Sequence, residues 1–372
     1  MRTRLSVFAI IAKIVLLTSI AFSQMNVNGR MESVFIDSQD GAPVFDSGNI
    51  INYGDPTFLW RFRGYLDMQV SERSYIFSDL RIEPSGLQID FAAIRIYLDQ
   101  KQTCGLQTGV LGTFIGNVTP RRSSKYNPMI HLPIMYDYNT VLEGSAAFTG
   151  EEIYQLRGTG NGMPIFYLAV YRPGAEVFKT FFDLVDLQAG IFNSAPSNPY
   201  LMGQSGRFNY SFRAGIRPVM GMNIGISFNR GPYLGRYTVY RIPDDKAYQT
   251  LWDIDFSFER GHLAFFSEAV YNRWSHPRLQ DDLGVTGYYL ELKYKFHPHF
   301  FIAGRAGQLF FDEIKLADTV TAKWDDNVTR FEASLGYYVV RETLAKIVVQ
   351  MNRTDRLDPD DDYIAVQLSA GF

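Results

Sequence analysis

In several stretches of this sequence charged side chains recur at every second position, and that spacing decides what chemistry they can do. Arg207, Arg213 and Arg217 share a parity in "RFNYSFRAGIR", and Asp253, Asp255 and Glu259 share one in "DIDFSFE". Glu291, Lys293 and Lys295 do so in "ELKYK", Arg330 and Glu332 in "RFE", and Arg61, Arg63 and Asp67 in "RFRGYLD". Arg95 and Lys346 stand singly among apolar neighbours. Residues two apart lie on one face of a strand, so each set offers a row of fixed charges to whatever passes or packs there. No catalytic arrangement accompanies them. The chain contains no Gly-x-Ser-x-Gly, no His-Glu-x-x-His and no phosphate loop. His131, His262, His276, His297 and His299 fall between the alternating stretches. The lone Cys104 allows no internal disulfide and no metal framework. The acidic run at Asp355, Asp358, Asp360, Asp361 and Asp362 lacks the glycine and closing glutamate of an EF-hand and reads as a solvated loop. No enzyme activity, cofactor or metal is expected.

The faces opposite these charges are apolar and rich in aromatics. Phe58, Trp60, Phe62, Leu66, Met68 and Val70 alternate with Arg61, Arg63 and Asp67, and Phe208, Tyr210 and Phe212 alternate with Arg207, Ser211 and Arg213. The same period of two holds near 222–229, 252–259, 287–296, 330–339 and 363–372. A soluble sandwich or propeller also alternates. These runs are often ten or more residues long, whereas strands usually run to about 5–6. Large aromatics facing away from charges suit a lipid-facing exterior around a wet lumen. Loop lengths alternate as well. Residues 353–361, 312–327, 273–286 and 230–249 are long connections, while 341–342, 297–298, 260–261 and 218–221 are tight. The expected fold is all-β, a transmembrane antiparallel β-barrel of about 16–18 strands. Its earlier strands are expected near 29–37, 58–70, 73–82, 87–98, 105–112, 140–148, 150–158, 164–172 and 184–193. Residues 24–57 either complete the barrel or lie inside it as a plug. Trp60, Tyr97, Tyr200, Tyr233, Trp252, Tyr271 and Trp274 are expected in interfacial girdles.

The first 23 residues read as a secretory signal peptide, with Arg2 and Arg4 before an apolar run and Ala21 and Ser23 at a cleavage site. Residues 24–372 then form a single barrel domain. Without Arg2, Arg4 and Lys13, the 36 basic and 39 acidic residues leave a formal charge of −6, which argues against a nucleic-acid partner.

The final stretch "DDYIAVQLSAGF", an alternating strand that stops on Phe372, resembles the terminal signal by which the bacterial outer-membrane assembly machinery recognises its clients. Residues 109–140 are similar to a stretch of porin-like outer-membrane proteins, including those related to phosphate-selective porins. Gly109, Phe114, Gly116, Pro120, Asn127 and Pro128 keep its outline, while the Lys and the Pro-Phe-Gly core of that family are absent. The resemblance implies a channel in the outer membrane of a Gram-negative bacterium, passing small polar or charged solutes by diffusion. It implies contact with outer-membrane lipids and lipopolysaccharide, assembly by the barrel machinery and, by analogy, a homotrimer. It also implies that the third outer loop, expected at 113–139, folds inward and narrows the channel with Arg121, Arg122, Lys125, His131 and Asp137. The lumen wall is then expected to carry Arg61, Arg63, Arg95, Arg207, Arg213, Arg217, Arg330, Lys293, Lys295 and Lys346 against Asp67, Asp253, Asp255, Glu259, Glu291 and Glu332. A plugged barrel acting as an adhesin, a secretion component or a structural protein is the alternative, and a barrel hydrolase stands behind it.

Overall fold

The computed structural model describes all residues except 1–24, 40–43, 47–48, 52–55, 85, 113, 167–170, 194, 199–200, 202–205, 236–245, 318–319 and 357–360. The signal peptide expected at 1–23 lies outside these residues, as do Tyr200, Asp358 and Asp360.

The alternating stretches form long strands. In chain order these are β1 (Met25–Ser38), the short pair β2 (Val44–Asp46) and β3 (Asn49–Ile51), β4 (Thr57–Ser71), β5 (Ser74–Glu83), β6 (Gly86–Tyr97) and β7 (Cys104–Gly112). After a long connection come β8 (Tyr171–Phe181), β9 (Val185–Asn193), β10 (Phe208–Ile216), β11 (Met222–Pro232), β12 (Tyr248–Arg260) and β13 (Leu263–Trp274). They are followed by β14 (Leu283–His297), β15 (Phe300–Phe311), the pair β16 (Glu313–Ala317) and β17 (Val320–Lys323), β18 (Val328–Val340), β19 (Thr343–Thr354) and β20 (Tyr363–Gly371). The pairs β2–β3 and β16–β17 are separate two-stranded ribbons, and the other 16 strands close into one antiparallel barrel. Closure is made by β1, whose Arg30 stands opposite Gly371 of β20 on one side and Arg63 of β4 on the other. Residues 25–38 are therefore wall, not plug.

Each strand turns its apolar parity outward. Phe58, Trp60, Phe208, Phe212, Trp252, Leu290, Phe331 and Leu368 are exposed, while Arg63, Asp79, Asp253, Glu268, Glu291, Arg305 and Lys346 are buried inside. A continuous apolar exterior with internally satisfied backbone is what a barrel needs in hydrocarbon. No helix among the described residues is long and apolar enough to cross a membrane. All but one of the tight turns lie at one end, here the short-turn end, together with the start of β1 and Phe372. The long connections lie at the other, where β5 and β6 alone are joined by two residues.

The strand count settles at 16 because two expected strands do not exist. Residues 140–148 are irregular and 150–158 are mostly helix: α2 (Gly150–Leu156) follows a single-turn α1 (Ile134–Asp137). Thr149 caps α2 and Glu152 reaches back to it, a capping box worth about 1 kcal/mol. The strand expected at 164–172 is displaced to β8. The third connection at the long-loop end thus runs from 113 to 170, and the loop expected at 113–139 is only its first part.

Candidate functional site in the loop-crossed lumen

That long connection is held by inward-facing side chains around the barrel. Arg121 and Arg122 are consecutive residues at the end of a 3-10 turn, and their long side chains reach to opposite walls. Arg121 donates to Glu291 of β14 at 2.5 Å and lies over the Phe266 ring of β13. Arg122 pairs with Asp79 of β5 and, at 2.9 Å, with Asp90 of β6. The backbone from Val118 to Lys125 is therefore a strap pinned to two walls. Pro120 in the 3-10 turn Thr119–Arg121 stiffens it.

Further contacts fix its flanks. The Gly116 N–H donates to Asp253 at 3.0 Å and the Asn117 N–H to Glu268 at 3.2 Å. A Cβ on Gly116, which adopts φ +62°, would strike the Glu268 carboxylate and the Tyr136 hydroxyl. Lys125 pairs with Glu342 at 2.9 Å in the β18–β19 turn and holds that carboxyl below its ordinary range. The Lys346 ammonium, completely enclosed, donates to the carbonyls of Ser124, Asn127 and Met129 at 3.3, 3.0 and 2.9 Å. Arg305 donates to the His131 carbonyl at 2.8 Å while clamping Glu332 at 2.5 Å and Glu291 at 3.3 Å. The His131 ring meets the Tyr363 hydroxyl at 3.2 Å, and Asp137 accepts from Arg330 at 2.6 Å.

From Leu132 onward the connection also carries an apolar core. Tyr138, Val141, Leu142, Ile153, Ile165 and Phe166 pack with Leu251, Val270, Trp274, Leu283, Val285, Leu309, Phe311 and Trp324 into one buried cluster against β12–β18. Trp274 and Tyr233, expected in a girdle, are buried in it, while Trp60, Trp252 and Tyr271 face outward. At the long-loop end Asp325 accepts from the Gly158 N–H at 2.8 Å, and Asp326 is gripped by Arg356 at 2.6 Å. Enclosure raises the Asp325 carboxyl to about 7, against the opposing pull of its hydrogen bonds.

Among the described residues, a cavity lies on each side of the strap at the short-turn end. The larger, about 880 Å³, is lined by Gln107, Glu176, Gln188, Arg213, Arg217 and Glu259 among others. The smaller, about 690 Å³, is lined by Arg30, Tyr65, Asp67, Asp79, Arg122 and Glu342 among others. Phe91, Arg95, Thr119, Pro120 and Tyr126 line both.

The remaining wall positions have partners of several kinds. Arg61 pairs with Glu83 at 3.2 Å, Arg63 with Asp90 at 3.2 Å, Arg213 with Asp255 at 2.6 Å and Arg217 with Asp186 at 2.9 Å. Lys293 lies over the Phe301 ring and Lys295 over the Tyr338 ring. Arg207 sits just outside β10, over the Tyr248 ring and donating to the Lys246 carbonyl, so it belongs to the rim. Sequence reasoning missed Asp79, Arg81, Asp90, Glu268 and Arg305. Asp90 is hidden by a register shift between β5 and β6 that turns both Asp90 and Phe91 inward. Glu268 lies in "AFFSEAVY", where aromatics occupy both faces and blur the period. The five histidines each make structural contacts: His262 and His299 meet the carbonyls of Lys295 and Tyr338, and His276 and His297 accept local backbone N–H groups.

No family model matches the chain, and no curated protein matches it. Solved structures do. The outer membrane channel DcaP of Acinetobacter baumannii is 11% identical, with a TM-score of 0.61 and coverage of 95% of this chain and 98% of that one. OmpF of Salmonella typhi, solved with daunomycin, is 10% identical, with a TM-score of 0.59 and coverage of 94% and 97%. The trimer form of OmpT, an outer membrane protein of Vibrio cholerae, is 6% identical, with a TM-score of 0.58 and coverage of 94% and 99%. At such identities the likeness is one of architecture. The chain has the porin-like β-barrel fold.

Proposed function

We propose that this protein is an outer-membrane channel through which small polar or charged solutes diffuse passively. The observation that carries the reading is the pair of charged cavities, about 880 and 690 Å³, flanking a strap pinned across a closed barrel. A bar set across the lumen by ion pairs narrows a passage while leaving the flanking cavities open. On this reading residues 1–23 direct export, the strand ending at Phe372 is read by the assembly machinery, and the short-turn end faces the periplasm. The apolar exterior then sits in lipid, with lipopolysaccharide around the long-loop end of a Gram-negative bacterium. The trimer form of the OmpT structure supports a homotrimer for this chain.

One observation favours the plugged alternative. The apolar cluster built on residues 132–166 occupies the long-loop half against β12–β18 and leaves any passage to the β4–β11 side. Planar-bilayer recording of the refolded mature chain separates the two. Discrete, stable openings are expected, and silence from protein with verified β-structure and heat-modifiable gel migration would transfer the assignment to a plugged adhesin, secretion or structural barrel. The barrel-hydrolase reading would be revived by a lipase or protease activity lost on replacing one Ser or Asp.

A further inference from the structure

Most arginines that line the two cavities are in ion pairs with a wall or turn carboxylate: Arg30 with Glu342, Arg121 with Glu291, Arg122 with Asp79, Arg213 with Asp255 and Arg217 with Asp186. Arg95 is different. Its Nε donates to the Gln107 side-chain oxygen at 2.5 Å and its Nη1 to the Tyr97 hydroxyl at 3.3 Å, and no described carboxylate lies within ion-pair distance of it. Phe77 and Phe178 hold its guanidinium carbon at 4.8 and 5.5 Å from their ring centres. Among the described residues Nη2 has no hydrogen-bond partner and is not an enclosed polar atom, so it opens onto the cavities. Arg95 lines both of them, beside the strap residues Thr119, Pro120 and Tyr126.

We propose that Arg95 is the anion-docking position of this lumen, taking the carboxylate or phosphate group of a permeating solute end-on. This rests on the channel reading above. The argument is one of geometry. A guanidinium flanked by rings has its faces covered and offers only in-plane N–H groups, which match the paired oxygens of an oxyanion better than they match a spherical ion. Its charge is not cancelled by contact. Glu176, in the same cross-strand row, is separated from Arg95 by Gln107 of the intervening strand β7, and Asp67 lies on β4, two strands away in the other direction. Asp67 and Glu259 favour cations in these cavities, and Arg95 is the opposing charge where the cavities share a wall.

The test is planar-bilayer recording of the full refolded chain as wild type, R95Q and R95K, in a potassium chloride gradient and then with inorganic phosphate added. Loss of a unit charge beside an aqueous path at moderate salt lowers the chloride-to-potassium permeability ratio by about two- to fivefold. R95Q is expected to show that fall and a rise of about tenfold in the phosphate concentration that half-blocks the current. R95K is expected to keep most of the ion preference and lose the phosphate block, because it keeps the charge without the fork. Wild-type openings with R95Q matching wild type in both readouts would overturn the docking role and leave the channel intact. Silence of the wild type itself would overturn the channel reading, and this one with it. R95K reports on the position if R95Q does not refold.

Discussion

Lys346→Met is the sharpest test of how the lumen strap is held. The ammonium is enclosed on all sides and donates three hydrogen bonds, each to a carbonyl of the connection and none to a wall group. Methionine fills a similar volume but leaves the carbonyls of Ser124, Asn127 and Met129 without that donor in a dry pocket. An orphaned buried acceptor costs about 1–3 kcal/mol, and three of them sum to about 3–9 kcal/mol. Relief from burying an unpaired ammonium, itself several kcal/mol, offsets part of this. A net loosening of about 3 kcal/mol is expected. The loss is local, since β19 keeps its backbone pairing with β18 and β20. It therefore raises the open population of the segment about a hundredfold without unfolding the barrel. Hydrogen exchange of amides 124–131 should quicken by that factor, while amides of the β18–β19–β20 ladder keep wild-type rates. Open-channel current should become noisier as the strap's flank moves. Unchanged exchange in 124–131 would refute the reasoning, because the three bonds would then contribute nothing to holding the loop.

Three further outcomes are expected. Arg305→Ala leaves Glu291 and Glu332 facing each other in an enclosed wall, which costs about 3–5 kcal/mol, so refolding yield by heat-modifiable gel migration should fall sharply. Asp325 lies in the β17–β18 connection with its pKa raised to about 7, above the ordinary value of about 3.9. The folded loop thus holds its proton more tightly than the unfolded one. The loop's stability is therefore greatest below about pH 4 and falls by a few kcal/mol as pH rises to about 7, with no further change above, because an enclosed charge must then form. Asp325→Asn should flatten this dependence, read as protease protection of the long loops between pH 4 and 8. Gly29→Val places a side chain 2.5 Å from the Phe372 ring at the β1–β20 seam. Folding into vesicles should slow at a cost of about 1–3 kcal/mol, and Phe372→Ala in the same chain should restore it.

The barrel was legible because its two requirements are local. A lipid-facing side chain and a lumen-facing one alternate residue by residue, so Phe208, Tyr210 and Phe212 declare their parity without knowledge of any partner. The connection from 113 to 170 was not legible, because its apolar residues are buried among several elements at once. Val141, Leu142, Ile153, Ile165 and Phe166 touch wall, loop and ribbon together, and such a segment shows runs of apolar residues with no face to alternate against. A strand there and an irregular core segment look alike. One local signal was available: Thr149 followed by Glu152 is a helix-start pattern, and it marks α2. Trp274 was read as an interfacial ring for the related reason that a tryptophan near a strand end suits either a girdle or a core. Only its neighbour Trp324, 50 residues on and 5.6 Å away, decides between them.

The charges were legible as a set but not as a mechanism, and the reason is register. Arg121 and Arg122 could be assigned to one loop from the sequence, yet their partners, Glu291 on β14 and Asp79 and Asp90 on β5 and β6, stand on opposite walls. Most wall charges are then consumed in holding the loop or one another, as Lys346, Arg305 and Arg330 hold its carbonyls and Asp137. A paired buried ion adds little field to the pore and much to the definition of one structure. What a passing solute senses is the residue of that pairing, and an inventory of charged positions overstates it. In this barrel the residue at the cavities includes Asp67 and Glu259 on one side of the balance and Arg95 on the other, so neutralising Arg95 removes a charge that no described wall carboxylate meets by contact, and ion preference should shift toward cations.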